Sequence, residues 1–134
     1  MVVERLLQTF FTSGREFAVM VEISGINVKA KAIPKSQLVL AWKELTRKSF
    51  PRVKAYRLTD EDFDRVIRLR RCEEDMERER EEWGRVLSTM GTDACVFNAE
   101  PPATEFIIIV RGSPYHSLDE ILKHELEHIA RGDL

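Results

Sequence analysis

A chain of 134 residues and 15.6 kDa can bury a core of its own and is too short for two independent globular units. Hydrophobic residues make up 43% and charged residues 33%, which excludes a disordered chain, and apolar runs such as Phe106 to Val110 fall far below the roughly 18 residues of a membrane-spanning helix. Lys and Arg number 21 against 23 Asp and Glu, and a net charge of -2 supplies no field for holding a polyanion, so neither nucleic acid nor membrane is an expected partner.

The opening MVVERLLQTFF mixes acid and base among its apolar residues and lacks the basic region, long apolar stretch and cleavage site of a secretory signal. Cys72 and Cys95 lie far apart, and a free cysteine behaves as a small hydrophobe, so both are expected to be buried, inert thiols in a reducing cytoplasm.

In chain order, Val3, Leu6, Leu7, Phe10 and Phe11 fall at helical spacing and predict a short helix over 3–11, stopped by Thr12-Ser13-Gly14. From Glu16 the period changes to two. Phe17, Val19, Val21 and Ile23 share one face, and after Ser24-Gly25 the alternation resumes with Ile26, Val28, Ala30 and Ala32, which predicts a hairpin. Pro34 ends it, and Leu38, Ala41, Trp42 and Leu45 form the stripe of a helix running to about Ser49, closed by Phe50-Pro51. A strand follows over Arg52 to Leu58. Thr59, with acids at 60, 61 and 62, then opens a long helix predicted to run towards Met90 and to end at Gly91. Its charge run EEDMEREREE keeps a seven-residue register: Leu69, Met76, Trp83 and Met90, with Cys72 and Val86 or Leu87 at the intervening positions, and Glu79 or Arg80 fills the slot between Met76 and Trp83.

Beyond Gly91, Ala94 to Asn98 reads as a strand, 99–102 as a turn, and Thr104 to Val110 as a strand whose FIIIV centre predicts burial on both faces. Ser117-Leu118-Asp119-Glu120 is a capping box that starts a last helix, which runs to Arg131 and stops at Gly132. The order α, ββ, α, β, α, ββ, α predicts one small α+β domain over residues 1–134, a mixed sheet with helices.

The last helix contains His124-Glu125-Leu126-Glu127-His128, an HExxH. At 100° per residue the two histidines lie about 40° apart and one turn along, so both imidazoles can reach one metal ion. Glu125 lies about 60° beyond His128, where its carboxylate could take a proton from a zinc-activated water. Leu118, Leu122, Leu126 and Ile129 are expected to pack, and Glu120, His124, Glu127, His128 and Arg131 to look out. A plain solvated face is the competing reading, held by the pairs Glu120 with His124, Lys123 with Glu127, and Glu127 with Arg131.

The segment HELEHIARGDL resembles the active-site helix of the zincin metallopeptidases. Its HELxHxxxxD form, His124 through Asp133, is similar to that of gluzincin-like zinc peptidases in the prenyl-protein protease and beta-lactam sensor groups. The resemblance covers about the last 30 residues. It implies a zincin-like domain with a bound Zn²⁺, the two histidines as ligands, Glu125 as general base, and Asp133 steadying a ligand histidine through its free ring nitrogen. It also implies that an extended peptide adds to a sheet edge upstream of the helix, here the strand Thr104 to Val110.

Those relatives take a third ligand, a Glu, from a helix well downstream, whereas only six residues follow His128. The third ligand is therefore expected from Glu79, which borders the packed stripe of the long helix, ahead of Asp133, the carboxylate of Leu134 or another subunit. His116 lies roughly 12 Å along the axis from His124 and is expected to be a surface loop residue and a poor ligand. The sequence thus reads as a cytoplasmic zinc metallopeptidase acting on peptide or protein substrates. The alternative is a non-catalytic regulatory or protein-interaction module on the same scaffold, with weak metal or none.

Overall fold

The computed structural model describes residues 3–6, 15–23, 25–74, 93–98 and 105–132. Six strands, β1 (Val3–Leu6), β2 (Phe17–Ile23), β3 (Ile26–Ala32), β4 (Arg52–Leu58), β5 (Ala94–Asn98) and β6 (Glu105–Arg111), form one sheet in the order β1-β2-β3-β4-β6-β5. All neighbours are antiparallel except β4 and β6, so the sheet is mixed and the fold is α+β. Helices α1 (Lys35–Leu45), α2 (Asp60–Glu74) and α3 (Leu118–Arg131) cover it.

Strict alternation makes the β2–β3 hairpin. Val19, Val21, Ile23, Val28, Ala30 and Ala32 are buried, while Glu22, Asn27, Lys29 and Lys31 are exposed, and Gly25 turns the chain at φ 81°. That buried face continues through Tyr56, Leu58, Ile107 and Ile109 and meets Phe63 and Val66 of α2. On the other face, Val53, Ala55, Ile108, Val110, Ala94 and Val96 pack against Leu38 and Trp42 of α1 and Ile121, Leu122 and Leu126 of α3. Strand β6 is therefore apolar on both sides, as its FIIIV run requires, because it lies where helices cover both faces. Parallel pairing of β4 with β6 needs a connection that crosses the sheet, and α2 begins it. Its first turn is capped as expected: the Thr59 hydroxyl accepts the Asp62 N–H at 3.2 Å.

Several expectations are corrected. Val3–Leu6 is a strand and not the start of a helix; it pairs with β2 from Val3↔Glu22 to Leu6↔Val19. The hairpin's free edge offers backbone partners to a segment too short for periodicity to decide its state. Helix α1 stops at Leu45, four residues early, with Thr46 extended at φ -157° and the Trp42 indole N–H donating to the Lys48 carbonyl at 2.8 Å. Strand β6 is not an edge: β4 occupies one side and β5 the other, so its backbone is already paired and cannot receive a peptide. The second half of the predicted long helix, with Met76, Glu79 and Trp83, lies outside the described residues. No helix among the described residues is long and apolar enough to cross a membrane.

Candidate metal centre

Helix α3 is the most amphipathic helix and is capped at both ends. The Ser117 hydroxyl accepts the Glu120 N–H at 3.3 Å, and Gly132, at φ 72°, ends the helix with its N–H on the Ile129 carbonyl at 3.1 Å. Its position is fixed by two lysines. Lys123 on α3 pairs with Glu44 of α1 and with Asp119 one turn back, and these acids hold its ammonium up at about 12. Lys48, just after α1, donates to the Ala130 carbonyl at 2.6 Å. Lys123 thus marks the flank facing α1. His124 and His128 lie about 100° and 140° round the helix from it, on the opposite flank.

The two imidazoles stand edge to face, with centroids 5.0 Å apart and planes at 90°. A Zn–N bond of about 2.1 Å puts the metal about 3.2 Å from each ring centre, and a tetrahedral angle then separates the centres by about 5.2 Å. The spacing of the ring centres therefore matches that of two histidines sharing one zinc ion. Burial first, and the neighbouring His128 next, lower the His124 pKa below the ordinary histidine value of 6.5, which favours the neutral ring a metal requires.

Glu125 is 4% exposed and belongs with Ile121, Leu122 and Leu126 to the buried positions of the helix. The cause is geometric. Measured from His124, Ile121 falls at about 60°, Leu118 at about 120° and Leu126 at about 200°, so Glu125 at about 100° sits inside the apolar arc. Grouping the leucines without Ile121 sets the edge of that arc too far back. No hydrogen bond or ion pair reaches its carboxyl among the described residues, and burial pushes its pKa up to about 7, against a smaller lowering by His128.

Among the described residues no group of three metal-ligating side chains is placed around one ion. The candidate third ligand Glu79 and the supporting Asp133 both lie outside the described residues. Of the surface pairs, Glu127 with Arg131 forms at 3.8 Å, whereas Lys123 takes Asp119 and Glu44 instead of Glu127. Cys95 is a half-buried thiol on β5. A groove of about 670 Å³ opens at the start of β4 between Phe17, Lys35, Phe50, Arg52 and Glu105, and no residue of the HExxH lines it.

His116 is an exposed loop residue, as expected, and its ring has a buried partner. Its ring Nδ1 lies 2.5 Å from Oδ2 of Asp93, a wholly buried carboxylate just before β5. The same carboxylate accepts the backbone N–H groups of Tyr115 and His116, each at 3.0 Å. Burial works to raise the Asp93 pKa, but the hydrogen bonds from Tyr115 and His116 and the imidazole's charge outweigh it and hold the group below the ordinary 3.8. Asp93 was not singled out by sequence reasoning. The available signal was one acid set between a glycine-containing turn and an apolar strand.

No protein-family model, curated protein or solved structure matches this chain.

Proposed function

We propose that the chain is a zinc-dependent metallopeptidase in which His124 and His128 hold the ion and Glu125 is the general base. One observation carries this reading: a buried carboxyl with a pKa of about 7 directly follows the first of two imidazoles spaced to share a metal. As packing alone, a carboxyl in the centre of an apolar stripe is costly, and a leucine would serve better there. As chemistry, an acid poised near neutrality suits proton transfer in both directions.

Zinc, when bound, supplies Lewis acidity to the scissile carbonyl and to water. Glu125 then takes the proton from the attacking water and delivers it to the amine as the C–N bond breaks, so hydroxyl adds to the acyl carbon and hydrogen to the leaving nitrogen. In this proposal Glu79 completes the ligand set, Asp133 steadies a ligand histidine, the substrate is a peptide or unfolded protein, and the setting is the cytoplasm. The domain is zincin-like in this same sense.

A second reading, a non-catalytic interaction module, is favoured by one feature: Glu125 is 4% exposed, among the buried positions of α3. Elemental analysis of protein purified without chelator separates the two. One zinc per chain, lost in His124→Ala and in His128→Ala, together with an inactive Glu125→Gln that keeps its zinc, is the expected result. Full zinc in both histidine variants rejects the metal site, and a zinc-loaded parent inert on a broad peptide library favours the module.

A further inference from the structure

The segment between β6 and α3, residues 112–117, is clamped from two sides. The Gly112 Cα approaches the Leu58 carbonyl so closely that a Cβ there would sit 2.8 Å from that oxygen. The Ser113 N–H donates to Asp60 of α2 at 3.0 Å, and the Tyr115 and His116 N–H groups donate to Asp93. The Asp93 carbonyl also accepts the Arg111 N–H at 2.7 Å, so one residue grips the loop at both ends. Arg111 in turn reaches Asp64 at 2.6 Å and lies over the Phe63 ring at 4.6 Å. A connector does not need this much anchoring, and the anchoring has a visible result. Tyr115 is displayed 85% exposed, and the His116 side chain 43% exposed, on backbone that is held still.

The chemistry of the displayed ring follows from its partner. An ionised carboxylate only accepts, so His116 Nδ1 carries the proton and Nε2 keeps a lone pair when the ring is neutral. That nitrogen can accept from a backbone N–H when the ring is neutral and donate to a backbone carbonyl when it is charged. His116 lies roughly 12 Å along the axis from His124, a distance that the lean of α3 side chains towards its N-terminus shortens, so an extended peptide at roughly 3.3 Å per residue covers it in about three residues.

Resting on the peptidase reading, we propose that the Tyr115–His116 corner, positioned by Asp93, is a substrate-binding subsite for an extended peptide about three residues from the bond cleaved at His124 and His128. His116 Nε2 holds the peptide backbone there, and the Tyr115 ring forms an apolar wall for that residue's side chain. His116 is then a positioning residue, apart from the metal.

The test compares random octapeptides, which reach the corner, with blocked dipeptides, which do not. In the parent, octapeptides are preferred in kcat/KM. His116→Ala and Tyr115→Ala should each reduce that preference about tenfold, through KM with kcat changed less than twofold, and Tyr115→Phe should restore it. A second readout needs no turnover: titration with the octapeptide pool should shift the His116 ring signals in NMR spectra of the purified protein. An unchanged length preference in both alanine variants with silent His116 signals overturns the subsite. Shifted His116 signals on a protein that cleaves nothing keep the subsite and reject the peptidase reading; an inert parent with silent signals rejects both.

Discussion

Glu125 and His128 sit three residues apart on one helix turn, yet the carboxyl is enclosed among Ile121, Leu122 and Leu126 while the imidazole lies on the half-exposed flank. His128 is the only charge among the described residues that counters the effect of burial on Glu125, and burial prevails. The pair therefore sets an acid that resists ionisation beside a half-exposed ring, and this has consequences for stability.

In metal-free protein, Glu125 should make stability fall as pH rises. Below its ordinary value of 4.5 both folded and unfolded chains hold the proton and the contribution is fully present; between 4.5 and about 7 only the unfolded chain ionises; above about 7 the folded chain ionises too and the loss levels off. The loss amounts to about 3 kcal/mol. Urea unfolding at pH 5 and pH 8 in the presence of a chelator should show a parent that weakens by about 2–3 kcal/mol relative to Glu125→Gln. Parallel pH dependence in the two proteins would refute the buried acid.

Glu125→Leu should fill the same space without a polar group. Metal-free Glu125→Leu at pH 8 is expected to be more stable than the parent by about 1–3 kcal/mol while losing all peptidase activity, the trade expected where a site retains a costly group for chemistry. Calorimetry and a peptide-cleavage assay on the same preparation check both halves. Lower stability would mean that the carboxyl has a structural partner.

Asp93 should behave in the opposite sense. Its three accepted hydrogen bonds favour the charged form, so its contribution is present above the ordinary aspartate value of 3.8 and is lost as pH falls through the lower folded value. Asp93→Ala leaves two backbone donors without their acceptor and should cost about 2–4 kcal/mol at pH 7. In denaturant titrations, the gap between variant and parent should narrow towards pH 3.

Gly112→Ala tests the close approach of the loop to β4. The added methyl meets a backbone oxygen, which cannot swing aside as a side chain could, so the two segments must separate. A loss of about 1–3 kcal/mol in denaturant unfolding is expected. A neutral result would mean that the loop is not clamped against Leu58.

The sequence by itself determined the elements whose local signals agree: the alternating hairpin of Phe17–Ile23 and Ile26–Ala32, the doubly buried Ile107–Val110 run, the cap of α2 by Thr59, and the capped α3 with its two histidines one turn apart. These follow from bond geometry and periodicity, which act over a few residues. Only the tertiary structure decided what depends on neighbours distant in the chain. Val3–Leu6 became a strand because β2 had an edge to offer, β6 lost its edges to β4 and β5, and Glu125 was buried because the packed arc of α3 includes Ile121. Asp93 acquired its role because chain folding brought it to Tyr115 and His116, 22 and 23 residues away, where a buried carboxylate is stable only if donors converge on it.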